Sequence, residues 1–465
     1  MAKLQAKRCP SCGANLPVPP NAPSVTCRYC GNFITIEHRK PPPMQMQGVP
    51  STTLYIDPEE ARKAGQQVGC IVTAIVLATV LLPVLIGVVP WAYTKFKRGF
   101  RPFPVACELN ELVEVSGDWQ GNGPIVTSAG HNCKIRITKS HLKGTTLLST
   151  TSSNVEITLV DSTVETTDTA ISSEANLRVT LENSTLKSTG AIAIKTGYNL
   201  KLAATASKIS GKKAALDTKA NADLTLKKAS EITSEGTAIK TESGLKIEAE
   251  GGKIDGAEGA IVATSGAKIN ATGTAFSSKD KALSMSSGLD LQLVDGSIIG
   301  GGESAIECDG GEIDLSGAKI QGAQSAIDGR NNLKLKALKK SAIVATAGDA
   351  LVLAANAQLT FNDSSVEGAR WAIKSTSNTK MKLGPGARIV GRKGGFLGES
   401  NIDIETNGAT IDGGAGSGIE TGYNAKVVLQ QGVVKGSPAL SFPRKPSFLT
   451  IDGTQIQGEQ KVPPR

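Results

Sequence analysis

The chain has 465 residues, a formal charge of +9, 51 glycines and only 4% aromatic residues. That length supports several domains, and so few aromatics disfavour a cleft built on stacking platforms. The excess charge sits at the front: residues 1–67 hold eight Lys/Arg against four Asp/Glu, residues 95–101 hold four more basic side chains, and residues 102–465 hold 39 basic and 38 acidic ones, so net charge makes nucleic acid an unlikely partner for the bulk of the chain.

The first predicted unit is residues 1–39. Cys9-Pro10-Ser11-Cys12 is followed, after fourteen residues, by Cys27-Arg28-Tyr29-Cys30. Two C-x-x-C pairs place four thiolates on two knuckles, the ligand set of a tetrahedral structural Zn2+. Gly13 and Gly31 follow the pairs and let each knuckle turn. A segment this short cannot build its own core, so metal is favoured over two disulfides or free thiols. Four sulfurs fill the shell, leaving no open position for catalysis and no need of His38. On these residues the segment resembles the zinc fingers of the plant lesion-simulating-disease family and bacterial zinc ribbons. The fourteen-residue spacing, Leu16, Pro19, Ala22 and Val25 match that family; Gly13, Val18 and Asn21 depart from it. The resemblance covers about thirty residues and implies a protein partner for the ribbon.

Residues 40–58 read as a Pro-rich linker, from Lys40-Pro41-Pro42-Pro43 onward, in the semi-extended regime. Asp57-Pro58-Glu59-Glu60 then starts a helix, with Asp57 as N-cap and acids in the first turn. Residues 59–98 are read as a transmembrane helix with its flanks. Val68 to Thr94 carries no charge over 27 residues, enough to cross a bilayer once. Trp91 and Tyr93 fall where an interfacial belt belongs, and Lys95, Lys97 and Arg98 follow. The stretch lies too far into the chain for a signal peptide.

Two arguments about orientation conflict. Two basic residues before the span and four after it favour a cytoplasmic C-terminus. A four-thiolate zinc site prefers a reducing compartment, which favours a cytoplasmic N-terminus. The second is given precedence: a single-pass membrane protein, zinc ribbon cytoplasmic, remainder outside.

Residues 105–460 are one unit written repeatedly. A leading column pairs a small residue with a large aliphatic, as in Ala170-Ile171, Ala193-Ile194, Ala215-Leu216, Ala238-Ile239 and so on to Ala439-Leu440, with fainter copies at Leu148 and Ile125. A middle column runs Ile157, Val179, Leu202, Leu224, Ile247, Ile269 to Leu449. A trailing column runs Leu142, Val164, Leu186, Ile209, Ile232, Ile254, Phe276, Ile299, Ile320 to Ile456, with glycine often two positions later. The step is about 22 residues. Within each patch apolar and polar residues alternate, as in Val155-Glu156-Ile157-Thr158-Leu159, which is strand periodicity. Three short strands per coil, without room for a helix, predict an all-β parallel β-helix. The leucine-rich-repeat signature is absent and the step drifts too much for a hexapeptide helix. The stretch therefore resembles the right-handed parallel β-helix (pectate-lyase-like) superfamily, on periodicity and not on a catalytic motif. About fifteen coils at ~4.8 Å give a rod of roughly 70 Å. The first coil and the tail after Gly458, ending Lys461-Val462-Pro463-Pro464-Arg465, are expected to be its caps.

The resemblance implies enzymes that act on acidic polysaccharides through clustered Asp residues, calcium and Arg or Lys on one face. The residue after each leading aliphatic faces outward: Lys195, Asp217, Lys240, Val262, Ser284, Glu307, Asp328, Val352, Lys374. Glu307 and Asp328 are thereby predicted to stack one strand apart with Arg330 close by, a candidate weak surface site; the rival reading is an ordinary solvated charge ladder, which is favoured. His131 and His141 near Cys133 lack a recognisable third orienting group for nucleophilic work. Cys107 and Cys133 lie about one coil apart, pairing if the rod faces outside and otherwise, as slightly favoured, free; Cys308 is left over.

The combined expectation is a membrane-anchored, non-enzymatic interaction or scaffold protein. Its zinc ribbon binds a protein partner and its rod presents a surface to a glycan or envelope component. The alternatives are a surface polysaccharide lyase or hydrolase, or a cytoplasmic membrane-tethered β-helical scaffold.

Overall fold

The computed structural model describes residues 103–463 and four short strands nearer the front. The chain divides into two compact units, Met1–Val84 and Leu85–Arg465.

In the first unit, Lys7–Arg8 pairs antiparallel with Asn15–Leu16, and Ser24–Thr26 with Phe33–Thr35. In sequence, Cys9 to Cys12 fall between the strands of the first hairpin and Cys27 to Cys30 between those of the second. The four cysteines, the linker 40–58 and the apolar stretch 68–94 lie outside the described residues. Among the described residues no helix is long and apolar enough to cross a membrane.

The second unit is a parallel β-solenoid of about 16 turns with coils of about 22 residues. Each predicted column is one ladder of strands, and each coil visits the leading, middle and trailing positions in turn. In the leading ladder Ile171 pairs with Ile194, that with Leu216, and that with Ile239. The middle ladder stacks Ile157, Val179, Leu202 and Leu224. The trailing ladder stacks Leu142, Val164, Leu186 and Ile209. Several strands run through a corner, as Ile192–Thr205 does from leading to middle sheet, so the three ladders join in one 38-stranded sheet. The column side chains point inward and form a single continuous core. Each buried aliphatic contributes about 1.5–3 kcal/mol, and every interior strand is hydrogen-bonded on both edges.

Two positions are corrected. In the trailing ladder Phe276 pairs with Ile298, and Ile298 with Ile320. Ile298 is fully buried, whereas Ile299 is 39% exposed. Adjacent strand residues face opposite ways, so only one of the two can join the column. At the first coil Val126, not Ile125, is the register partner of Leu148; Ile125 takes the inward place that alanine holds in later coils.

Polar side chains organise two corners. Between leading and middle sheets Asn110, Asn132, Asn154, Asn176, Asn199 and Asn221 all have positive φ, as do Asn332, Asn356, Asn378, Asn401 and Asn424. Asparagine tolerates this left-handed conformation. Many donate their amide to the asparagine one coil earlier, as from Asn132 to Asn110 at 2.8 Å and from Asn221 to Asn199 at 3.0 Å. In the four coils between these runs Gly244, Gly266, Gly288 and Gly310 take over the same backbone conformation. Between middle and trailing sheets Ser140, Ser162, Ser184, Ser207 and Ser230 are buried. The backbone N–H of Ser162 donates to the hydroxyl of Ser184 at 3.1 Å, while the Ser162 hydroxyl donates to the Val160 carbonyl at 2.7 Å. These bonds satisfy groups that the corner removes from water.

At the start of the solenoid Cys107 and Cys133 form a disulfide with a Cα–Cα distance of 6.0 Å, which corrects the slight preference for free thiols. Phe103 and Trp119 pack there with ring centroids 5.7 Å apart. At the other end Gln460–Lys461 still pairs parallel with Leu440–Ser441, so coiling continues through Lys461, and Val462 packs against the core.

Candidate functional site

The outward row of the leading sheet has the predicted register. Ser284 pairs with Glu307, Glu307 with Asp328, and Asp328 with Val352. The two carboxylates are therefore neighbours on adjacent coils, and Arg330 reaches back to the first of them. Its Nη2 lies 2.6 Å from Glu307 Oε1. A residue not anticipated completes the group: Lys281 Nζ lies 2.6 Å from Glu307 Oε2 and 3.0 Å from Glu303 Oε2. Glu307 is thus gripped from the coil before and the coil after, with only 17% of its side chain exposed.

The two acids respond in opposite ways. The hydrogen bond from Lys281 holds the Glu307 carboxyl below the usual carboxylate range against the opposing effect of burial, with Arg330 adding to the effect. The same contacts raise the Lys281 ammonium, its bond to Glu307 first. Burial pushes Asp328 up, and the Glu307 charge pushes it further, despite Arg330 and Lys281. Among the described residues Asp328 has no side-chain hydrogen bond or ion pair. Beneath this row lies Cys308, buried and free, in register with Met285 and Gly329. Burial, then the Asp328 charge, pushes its thiol up to about 12, so it is not a ready thiolate.

Elsewhere the outward rows are charge ladders. Lys134 pairs with Glu156 at 3.6 Å, Lys268 with Asp290 at 2.8 Å, and Glu165 lies between Lys143 and Lys187 at 3.2 and 3.4 Å. Cys133 is occupied by its disulfide and offers no thiolate to His131 or His141. Among the described residues no cluster of three or more His, Cys, Asp or Glu side chains is arranged to hold a metal ion.

Two open depressions lie along early coils. One, of about 1080 Å³, runs beside the leading sheet and includes Lys195, Tyr198, Asp217, Lys240 and Glu242. The other, of about 710 Å³, follows the asparagine corner past Lys134, Glu156, Arg178 and Lys201. Neither contains Glu307 or Asp328. Tyr198 and its matched partner Tyr423, from the repeated Thr-Gly-Tyr-Asn, are both about half exposed, and Arg444 stacks over the Tyr423 ring at 4.0 Å.

Comparison with known protein families, with characterised proteins and with solved structures finds no match in any of the three. What is established is the architectural class, a parallel β-solenoid over residues 105–461.

Proposed function

We propose that this is a membrane-anchored, non-enzymatic interaction protein, with a cytoplasmic zinc ribbon and an external β-helical rod. The observation that carries the non-enzymatic reading is the Glu307 clamp. A carboxylate held by two cations at 2.6 Å is stabilised as an ion and has little basicity left for proton transfer. The stacked core and laddered corners serve stiffness, and the rod offers its outer faces to a glycan, an envelope component or another protein. We take the coil to be right-handed, the hand of the pectate-lyase-like superfamily and of nearly all parallel crossover connections.

The ribbon reading is supported by the two antiparallel strand pairs, because each C-x-x-C falls, in sequence, between the two strands of a pair. Cys9, Cys12, Cys27 and Cys30 are the residues that would hold Zn2+, whose contribution is folding energy and not catalysis. The single span is assigned to residues 68–94 on the charge-free run. The external placement of the rod is supported by the Cys107–Cys133 pair, since disulfides persist in oxidising compartments.

Protease shaving of intact cells, with an epitope tag after Arg465, tests the placement. Loss of the tag is the expected result. A tag cut only after lysis would transfer the proposal to a cytoplasmic scaffold tethered by its helix.

One observation favours a second reading. Adjacent carboxylates pushed in opposite directions, as Glu307 and Asp328 are, are how acid and base roles are divided in hydrolases. A polysaccharide lyase or hydrolase would turn over a uronic-acid polymer and lose that activity in both Glu307→Ala and Asp328→Ala.

A further inference from the structure

The near-neutral rod is strongly banded along its axis. Residues 280–330 hold nine Asp/Glu against three Lys/Arg, and residues 331–393 hold eleven Lys/Arg against three Asp/Glu. The two bands abut on the middle sheet. Glu312 and Asp314 face outward on one coil and Lys334 and Lys336 on the next, with Glu312 in register with Lys334 and Asp314 with Lys336. Lys339 and Lys340 extend the basic coil into its corner, where both are exposed. Among the described residues none of these six side chains makes an ion pair within 4 Å. Four lysines within seven residues of sequence are thus left facing solvent on one coil.

We propose that two copies of the chain associate side by side through the middle sheet, with their axes antiparallel and the acidic band of each against the basic band of the other. A two-fold axis parallel to the strands, between the Glu312 coil and the Lys334 coil, preserves position along each strand while exchanging the coils. It lays Lys334 over the partner's Glu312 and Lys336 over the partner's Asp314, and each contact recurs by symmetry. One coil further out, Gln358 and Thr360 meet the partner's Asp290 and Gln292, and beyond that Lys380 would meet the partner's Lys268, so the contact is confined to these four central coils. The charge pattern selects this occupant. A polyanion would match the basic band and be repelled by the acidic band beside it, whereas a reversed copy of the chain complements both. Contacts of this kind between exposed groups are weak singly and are screened by salt.

The test mixes unlabelled and 15N-labelled full-length chain in nonionic detergent and applies a zero-length carbodiimide cross-linker. Peptides carrying one label of each kind should join residues 280–330 to residues 331–393, led by Glu312–Lys334 and Asp314–Lys336. Their yield should fall at least several-fold between about 50 mM and about 500 mM salt. Reversing Lys334, Lys336, Lys339 and Lys340 to Glu removes the amines of the leading links and should also abolish the mixed links made through the other lysines of residues 331–393. Adding Asp290→Lys, Asp295→Lys, Glu312→Lys and Asp314→Lys should restore them, because the swapped chain is complementary again. Circular dichroism checks that each variant retains its strands. The proposal is overturned if the wild-type chain yields only single-label links between these bands. It is equally overturned if the four-lysine reversal leaves the links unchanged, or if the wild-type chain shows no mixed links but is retained on a polyanion resin through these lysines.

Discussion

Glu307 and Asp328 are register partners on adjacent coils, yet only Glu307 has cations bonded to it, Lys281 on one side and Arg330 on the other. Two carboxylates one strand spacing apart repel when both are ionised. The rod resolves this by fixing the charge on Glu307 and leaving Asp328 biased towards its proton.

The two residues should therefore respond oppositely to loss of charge and to pH. Glu307→Gln leaves Lys281 with its Glu303 contact and returns Arg330 to solvent, and should cost about 0.2–1 kcal/mol; Asp328→Asn should be neutral or stabilising at pH 7. Glu307 has a depressed native pKa, so its contribution is present above its unfolded value and is lost as pH falls through the native value. Asp328 has a raised native pKa, so ionising it removes stability as pH rises from its unfolded value through its native one. Urea titrations of the wild type and both variants across the acid range measure this. Glu307→Gln should flatten the acid-side loss and Asp328→Asn should remove the opposing fall. Matching pH profiles for all three proteins would refute the account.

The columns were legible in the sequence because a strand buried on one face repeats its apolar residues with little tolerance for substitution. The polar corners were not, although their spacing is as regular. The asparagine series is broken by Gly244, Gly266, Gly288 and Gly310, and asparagine and glycine look equivalent only once the left-handed backbone is seen. Glu307, Asp328 and Arg330 could be placed from register. Lys281 could not, because it lies at a corner two residues before Leu283 and its reach to Glu307 depends on side-chain length. The Ile298–Ile299 pair was ambiguous for another reason: a coil step that drifts admits either residue.

That pair offers a test of the register itself. Ile298→Ala removes a fully buried column residue and should cost about 2–5 kcal/mol. Ile299→Ala, one residue on and on the outer face, should stay within about 0.5 kcal/mol. Native-state hydrogen exchange of the flanking coils reads the difference locally, which suits an array whose repeats contact only their neighbours. Equal effects would mean that the strand is slipped by one residue.

The asparagine corner makes a claim about backbone conformation that is separable from its hydrogen bonds. Asn199 has φ of +58°, donates to Asn176 at 2.8 Å and accepts from Asn221 at 3.0 Å. Asn199→Gly loses the bonds but keeps the conformation, and should cost about 0.5–1.5 kcal/mol. Asn199→Ala also meets the left-handed penalty of about 1–2 kcal/mol, and a β-branched Asn199→Val should be worse still. Exchange protection in the coils on either side should fall in the order Asn, Gly, Ala, Val. If Ala proved as good as Gly, the corner would not require a left-handed residue.

The disulfide ties stability to compartment. Cys107 and Cys133 are 26 residues apart in sequence, so their bond constrains the unfolded chain over roughly one coil and should contribute about 2–4 kcal/mol. It sits where the solenoid begins, a coil with only one solenoid neighbour, and Cys107→Ser should loosen the first coils before the rest of the rod. In native protein, alkylation should leave Cys107, Cys133 and Cys308 unmodified, the first two bonded and the third buried. After unfolding without reductant only Cys308 of these three should react, and after unfolding with reductant all three should. Mass spectrometry of material taken directly from cells, with thiols blocked at lysis, makes the comparison where it matters. Blocked Cys107 and Cys133 would place the rod in a reducing compartment and remove the main support for its external position; their absence from the blocked pool would tie the first coil to an oxidising one.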